Sequence, residues 1–222
     1  MPLAGKGMLL TSMDVDAADE PEFNRWYDRE HLEERVAIEG FVEARRYIAL
    51  AASPKYLSLY STHTFDVLDS PAYRGALANQ TAWSKANIAR FRNMIRGVSR
   101  ITISRGVGRG AALGLVRLRP NAEAGNALRA ALNGRLDPAS LDGIISMHLL
   151  ENDPKLSKPL TDNADTAGAG DWYVLIDGTD VDAVAATIKA RFDHALVSRF
   201  ATLVSSGTYR LMWDLAKSEI PT

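Results

Sequence analysis

The chain has 222 residues, of which 46% are apolar and 24% charged, and its formal net charge is −1. This balance is typical of a soluble globular protein, and the mixed charges argue against nucleic acid or an anionic membrane as the main partner. The absence of cysteine excludes disulfides and zinc–thiolate sites, while no apolar run approaches the roughly 20 residues that span a bilayer. The N-terminus lacks the apolar core of a signal peptide, so we expect a cytoplasmic protein.

The first half of the sequence predicts six elements in the order βαββαβ. The predicted strands are 7–13, 41–50, 56–65 and 98–105, and the predicted helices are 20–35 and 70–96. Pro54 marks the turn between the second and third strands. Ser70 followed by Pro71 is typical of a helix start, because serine caps the free N–H groups and proline suits the first helical position.

The second half repeats this order after a glycine-rich stretch at 106–110. That stretch, G-V-G-R-G, predicts a linker rather than a phosphate loop, because a strand and not a helix follows it. The predicted strands are 112–118, 143–150, 172–177 and 206–213, and the predicted helices are 121–132 and 181–194. Residues 151–171 are rich in proline, glycine and aspartate and predict a long loop, either mobile or a lid.

These elements predict an α+β fold built from two tandem ferredoxin-like βαββαβ units, 1–107 and 108–222. Each unit would be a four-stranded antiparallel sheet with two helices on one face. Because the bare face of each sheet must be covered, we expect the units to pack sheet to sheet as a pseudo-dimeric α/β barrel. The first unit would carry the site, and the second, more degenerate unit would complete the barrel.

The first helix carries the main functional signal. Its inward arc begins with aromatic residues and continues with polar ones, namely Phe23, Trp26 and Tyr27, then Glu30, His31 and Glu34. Polar groups that continue an apolar stripe must meet water, a partner or a ligand, because burying them unpaired costs a few kcal/mol per group. The pattern therefore predicts a site at the C-terminal part of this helix.

The second and third strands offer two further polar groups. If the more apolar face of each strand looks towards the helices, Arg46 and His63 fall in the same layer as His31. Tyr27 and Trp83 would then form walls around them. A mostly apolar cavity with a few convergent polar groups is the usual form of a small-molecule pocket.

Four short motifs occur in order along the first half: W-Y-D-R-E-H, G-F-V-E-A-R-R-Y, K-Y-L-S-L-Y and S-P-A-Y. They resemble the dimeric α/β-barrel superfamily, especially its EthD-like branch, across about residues 5–105. A tryptophan and a histidine on the first helix precede a P-G-F-like turn in that branch, and here the turn is Glu39–Gly40–Phe41. The resemblance implies the barrel fold and a superfamily that includes cofactor-free monooxygenases, muconolactone isomerases and polyketide cyclases.

From these residues we expect a cofactor-independent enzyme that acts by acid/base proton transfer on a small apolar carbonyl or aromatic compound, as a lyase, isomerase or cyclase. His31 would be the acid/base group and Arg46 the stabiliser of an enolate or phenolate. His63 or Tyr27 would be the second proton-transfer group. The predicted substrate-binding residues are Tyr27, Asp28, Tyr47, Tyr60 and Trp83, with no metal and no cofactor.

Other interpretations stay open. The protein would be a non-catalytic carrier if the cavity only binds a hydrophobic ligand. It would be a haem- or oxygen-dependent oxidoreductase if His148 or His194 were an axial ligand. Structural roles are equally open, with Arg46 paired to a glutamate of the first helix and His63 at the surface. The sequence also leaves a homodimer open.

Overall fold

Eight antiparallel strands close into one barrel in the computed structural model of the chain, which describes residues 4–158, 168–192 and 198–220. The strands are β1 Gly7–Asp14, β2 Phe41–Ala51, β3 Tyr56–Thr62, β4 Arg92–Gly106, β5 Ala112–Pro120, β6 Ile144–Asn152, β7 Trp172–Gly178 and β8 Ala201–Ala216. The α-helices are α1 Glu20–Trp26, α2 Leu32–Ala37, α3 Pro71–Ala78, α4 Ala82–Ile88, α5 Gly125–Asn133 and α6 Val181–Arg191. No helix within the described ranges is both long and apolar enough to cross a membrane.

The barrel order is β1-β3-β2-β8-β5-β7-β6-β4. Each half of the chain therefore contributes four neighbouring strands, and the halves meet at two antiparallel seams, β2 with β8 and β4 with β6. The predicted α+β class and the eight-stranded barrel are confirmed. Hydrogen bonds across both seams make one continuous sheet rather than two sheets stacked face to face.

The barrel interior is itself an apolar core, and this overturns one expectation about strand faces. Leu57 and Leu59 of β3 point into the barrel, whereas Tyr56 and Tyr60 face the helices of the first half. The more apolar face of a strand does not mark the helix side here, because the second half of the chain covers the inner face as completely as the helices cover the outer one. On β2 the expectation holds, since Arg46 bonds to residues of the first helical segment.

The second predicted helix, 70–96, is wrong in its second part. Two short helices, α3 and α4, replace it, and β4 already begins at Arg92. The Thr81 hydroxyl accepts a hydrogen bond from the Ser84 N–H at 2.9 Å and starts α4 anew. The residues after α4 pair instead with β1, where Arg96 lies opposite Thr11, so sheet pairing overrides the helical pattern.

Candidate functional site

A cavity of about 610 Å³ lies between the outer face of the barrel and the helices of the first half. This volume is within the usual range for a small-molecule site. Its lining is largely apolar and aromatic and includes Leu9, Met13, Tyr27, Tyr60, Tyr73 and Phe91. Ser157 and Ala169, from the two described ends of the predicted 151–171 loop, also line it, so the second half of the chain helps to enclose the site.

A π-helical turn, Tyr27–His31, places the first two site residues. The turn is wider than an α-helical one, because the Leu32 N–H donates to the Tyr27 carbonyl five residues back. Tyr27 and His31 line the cavity. Glu30 instead accepts a hydrogen bond of 2.7 Å from the Thr81 hydroxyl at the start of α4. Of the polar residues predicted on one arc, His31 therefore faces the cavity, whereas Glu30 contacts α4.

His31 is held by aromatic rings. Its ring centroid is 4.1 Å from that of Trp26, 5.0 Å from Tyr27 and 6.4 Å from Tyr60. Its Nδ1 is buried without a hydrogen-bond partner among the described residues. Burial, followed by the charges of Arg35 and Arg46, holds the pKa of His31 well below its ordinary value of 6.5. The imidazole is therefore neutral at neutral pH.

Arg35 is a site residue that the sequence interpretation missed. It lines the cavity from α2, is 5% exposed, and has two guanidinium nitrogens, Nε and Nη1, without a hydrogen-bond partner in the described part of the chain. The Tyr60 hydroxyl on the same cavity wall is buried and makes no hydrogen bond of regular geometry in the described ranges, although the Tyr27 and Ser58 hydroxyls lie close by; burial raises the Tyr60 pKa well above its ordinary value. The spacing of His31 and Arg35 was a usable signal, since residues four apart share one helix face.

Arg46 does not line the cavity, which corrects its predicted place beside a substrate. Its side chain is fully buried, and its guanidinium donates to Asp28 Oδ1 at 3.0 Å and to Asn24 Oδ1 at 2.6 Å. The guanidinium carbon lies 4.1 Å from the centroid of the Tyr27 ring. Arg46 thus supports Tyr27 from behind and acts on His31 only through its charge.

Four other predicted residues lie elsewhere. His63 is exposed in the bend just beyond β3, which ends at Thr62. Asp28 is half-exposed and bonds to Arg46 and to the Trp213 indole. Trp83 donates to Glu22 at 2.7 Å on the helix side. Tyr47 points into the barrel, where it accepts a hydrogen bond from Arg45, so only Tyr27, His31 and Tyr60 of the predicted set meet at the cavity.

The second-half histidine that the structure describes is engaged within the barrel. His148 Nδ1 lies 2.8 Å from the Ser104 hydroxyl and Nε2 lies 3.0 Å from the Ser146 hydroxyl. Burial and then the Arg45 charge lower its pKa to about 3. His194 lies outside the described residues. Across the part of the chain that the structure describes, no cluster of three or more histidine, aspartate or glutamate side chains forms a metal site.

The sequence matches no protein-family model and no curated protein, but its fold is similar to several solved structures. An anthrone oxidase-like protein superposes with a TM-score of 0.69 at 11% identity, covering 96% of this chain and 94% of that one. A monooxygenase from Lactobacillus acidophilus NCFM gives 0.57 at 10% identity, with 96% and 97% covered. A haem-binding protein from Thermus thermophilus gives 0.52 at 10% identity, with 97% and 93% covered. These likenesses show that the chain has the dimeric α/β-barrel fold.

The neighbours correct the expected function. Their names are those of an oxidase-like protein, a monooxygenase and a haem-binding protein, and none is a lyase, isomerase or cyclase. The expectation of a cofactor-independent proton-transfer enzyme of the lyase, isomerase or cyclase type is therefore wrong. A histidine beside an aromatic cavity fits proton transfer in many reaction classes, so the residues alone did not separate these classes from oxidation.

Haem does not fit the described histidines. An imidazole that binds a metal almost always donates its other ring N–H to a carboxylate, carbonyl or water, which fixes its orientation. Within the described residues His31 Nδ1 has no such protein partner, and both ring nitrogens of His148 are already bonded to serines. His63 is exposed away from the cavity. His63 and His148 therefore lack the environment of an axial haem ligand, and His31 lacks a described protein group that would orient its ring for that role.

Proposed function

We propose that the chain is an oxidoreductase that uses O₂ to oxidise an aromatic compound of the anthrone type in the cavity of the first half. The observation that carries this proposal is the cavity wall itself. There, a neutral histidine, an arginine and a tyrosine hydroxyl meet among aromatic side chains, each with a buried polar atom that no described residue satisfies. The fold similarity to an anthrone oxidase-like protein and to a monooxygenase supports the same reaction class.

The reaction balances with O₂ as the oxidant. An anthrone carries a CH₂ group between two aromatic rings, and loss of one proton gives an anion delocalised onto the ring oxygen. The carbanion carbon then bonds to O₂, and the resulting peroxide takes up the proton. Loss of water breaks the O–O bond and the remaining C–H bond and leaves a quinone. One CH₂ group and one O₂ thus give one C=O group and one H₂O, with four electrons passing from substrate to oxygen.

His31 is the proposed proton acceptor. Its neutral state at neutral pH is the state that can take the CH₂ proton, and the protonated ring can then return that proton to the peroxide. The aromatic walls, including Tyr27 and Tyr60, would stack against the flat substrate and limit access of water. Arg46 is proposed as a positioning residue behind Tyr27 rather than a residue that touches substrate.

The test is oxygen uptake with anthrone and hydroxyanthrones, together with the absorbance of the quinone product. We expect His31→Ala to lower kcat by about 10²- to 10⁴-fold, the usual contribution of general acid–base catalysis. His63→Ala is the matched control, because it removes an exposed histidine outside the cavity and should leave kcat unchanged. Oxidation no faster than the spontaneous reaction, or equal loss in both variants, would contradict the proposal.

We also propose that the two halves, 1–107 and 108–222, are tandem ferredoxin-like units and that the first is of the EthD-like branch. Support comes from the strand order, since β4-β1-β3-β2 in one half corresponds to β8-β5-β7-β6 in the other. The motifs on α1, the π turn and β2 support the branch. A homologous sequence with a single half that dimerises into the same barrel would be the decisive observation.

A further inference from the structure

We propose that Arg35 makes the cavity selective for aromatic anions, so that the substrate binds with a negatively charged oxygen close to α2. The inference deepens the proposed function by adding a charge requirement at the same site. It starts from a buried cation. Arg35 is 5% exposed, and no Asp or Glu oxygen among the described residues lies within 4 Å of its guanidinium to form an ion pair.

Burial of a charge without an ion-pair partner is costly, and arginine cannot escape the cost by losing its proton. Among the described residues, the Glu34 carboxylate acts on Arg35 only through space, outside ion-pair distance. Other buried arginines of the chain are compensated in the structure. Arg46 pairs with Asp28 at 3.0 Å, and Arg45 pairs with Asp177 at 3.2 Å. Arg35 differs from both because it lines a cavity. A ligand anion in that cavity would supply the missing partner.

The other groups on this wall favour the same ligand. The Tyr60 hydroxyl makes no hydrogen bond of regular geometry among the described residues, with the Tyr27 and Ser58 hydroxyls as its nearest polar neighbours, and it can turn to donate to an oxyanion. Burial raises its pKa well above the ordinary value, which keeps it protonated for that role. The neighbouring walls are aromatic, including Tyr27, Tyr73 and Phe91. A guanidinium and a phenol at one wall of an aromatic cavity together recognise a flat ring system bearing a phenolate or a carboxylate.

The experiment compares two fluorescent probes of nearly the same shape. 8-Anilinonaphthalene-1-sulfonate is an anion, and N-phenyl-1-naphthylamine is its neutral counterpart. We expect Arg35→Met to weaken binding of the anionic probe about 10- to 100-fold, the loss of one charged hydrogen bond, and to leave binding of the neutral probe within about twofold. Arg74→Met, which removes an exposed arginine of α3 outside the cavity, is the matched control and should change neither.

Leu77→Trp, which fills the cavity from α3, locates the probes and should weaken both. Equal loss of both probes in Arg35→Met would show that the arginine only maintains the cavity, and an unchanged anionic probe would show that it binds no anion. Either result overturns the inference. Competition by 2-naphthoate and 2-naphthol then separates a carboxylate from a phenolate, because the naphthol competes only as rising pH ionises it.

This readout is independent of turnover. If His31→Ala leaves oxidation unchanged while the probes still discriminate by charge through Arg35, the proposed function fails and the anion site stands. If His31→Ala abolishes oxidation while binding of the probes does not depend on Arg35, the proposed function stands and the anion site fails. The two proposals therefore stand or fall on separate measurements.

Discussion

At the scale of single residues, the site is defined by polar groups that the described part of the chain does not satisfy. His31, Arg35 and Tyr60 each keep at least one buried polar atom without a partner there, and all three line the same cavity. An unsatisfied buried donor or acceptor costs about 1–3 kcal/mol. Their gathering on one wall is the feature that separates a binding site from a packing void, which would be lined by apolar atoms.

The charge of Arg35 should be measurable on its neighbour. The nearby guanidinium helps to hold the His31 pKa below 6.5, so we expect Arg35→Met to raise that pKa towards the ordinary value. The measurement is NMR titration of ring-labelled histidine. The acid limb of the pH–rate profile should move upward in the same variant, because His31 accepts a proton only above its pKa. A His31 titration unchanged between Arg35→Met and the wild type would contradict this coupling.

The sequence pattern identified His31, Tyr27 and Tyr60 as site residues, but it did not identify Arg35, the charged residue on the same cavity wall. The periodicity of the first helix identified where polar groups enter an apolar stripe, and that inference needed no knowledge of the tertiary structure. Arg35 and Arg46 could not be ranked in the same way, because their roles depend on whether a carboxylate reaches each one. Asp28 reaches Arg46, whereas no carboxylate of the described ranges pairs with Arg35.

At the scale of elements, the π turn between α1 and α2 carries two of the cavity residues, Tyr27 and His31. A π turn holds one residue more than the α-helix it interrupts. An uninterrupted helix, as predicted for 20–35, would have kept His31 and Glu30 about 100° apart on a regular spiral. In the structure Glu30 bonds to Thr81 at the start of α4, whereas His31 lines the cavity.

Deletion of Arg29 tests the π turn. This residue is exposed within the turn, and its removal would let α1 and α2 join as one regular α-helix while α2 keeps its place. We expect near-normal helix content by circular dichroism and a loss of substrate oxidation of at least about tenfold, because the spacing of Tyr27 and His31 shortens from four residues to three and their side chains shift relative to each other at the cavity. Arg29→Ala keeps the turn and is the control. Full activity in the deletion variant would show that the turn is irrelevant to the site.

Strand faces were the least predictable part of the fold. In a sheet covered on one side, the more apolar face marks the core, but a barrel interior and a layer of helices bury both sides of β3. The more apolar face then no longer identifies the helix side, and His63 was misplaced as well because β3 ends one residue before it, at Thr62. The order of the elements survived, because turn residues such as Pro54 act locally and do not depend on what covers each face.

At the scale of the whole molecule, a buried ion pair ties the two halves together inside the barrel. Arg45 of β2 donates to Asp177 of β7 at 3.2 Å, and both side chains are almost fully buried. Arg45 also donates to the Tyr47 hydroxyl at 3.1 Å. The pair joins the first half of the sequence to the second at a place distant from the cavity.

Asp177→Asn should therefore destabilise the whole protein. Loss of the acid leaves Arg45 with only the weaker contact to the Glu43 carboxylate at 3.8 Å, and breaking a buried pair in this way typically costs about 3–5 kcal/mol of the free energy of unfolding. Asp214→Asn is the control, since Asp214 is half-exposed and pairs with Arg109 at 3.4 Å, an interaction worth about 0–1 kcal/mol. Urea unfolding measures both. Similar small losses in the two variants would show that the pair contributes little to cohesion between the halves.

The two seams of the barrel, β2 with β8 and β4 with β6, lie within one chain. In a barrel assembled from two separate chains, the seams would loosen as the protein is diluted, because association follows mass action. Here the linker at 107–111 fixes the local concentration of one half around the other. The cavity, whose walls come from both halves, should consequently stay intact at any dilution. The amount of ligand bound per protein molecule should not fall at low protein concentration, as it would if the halves could dissociate.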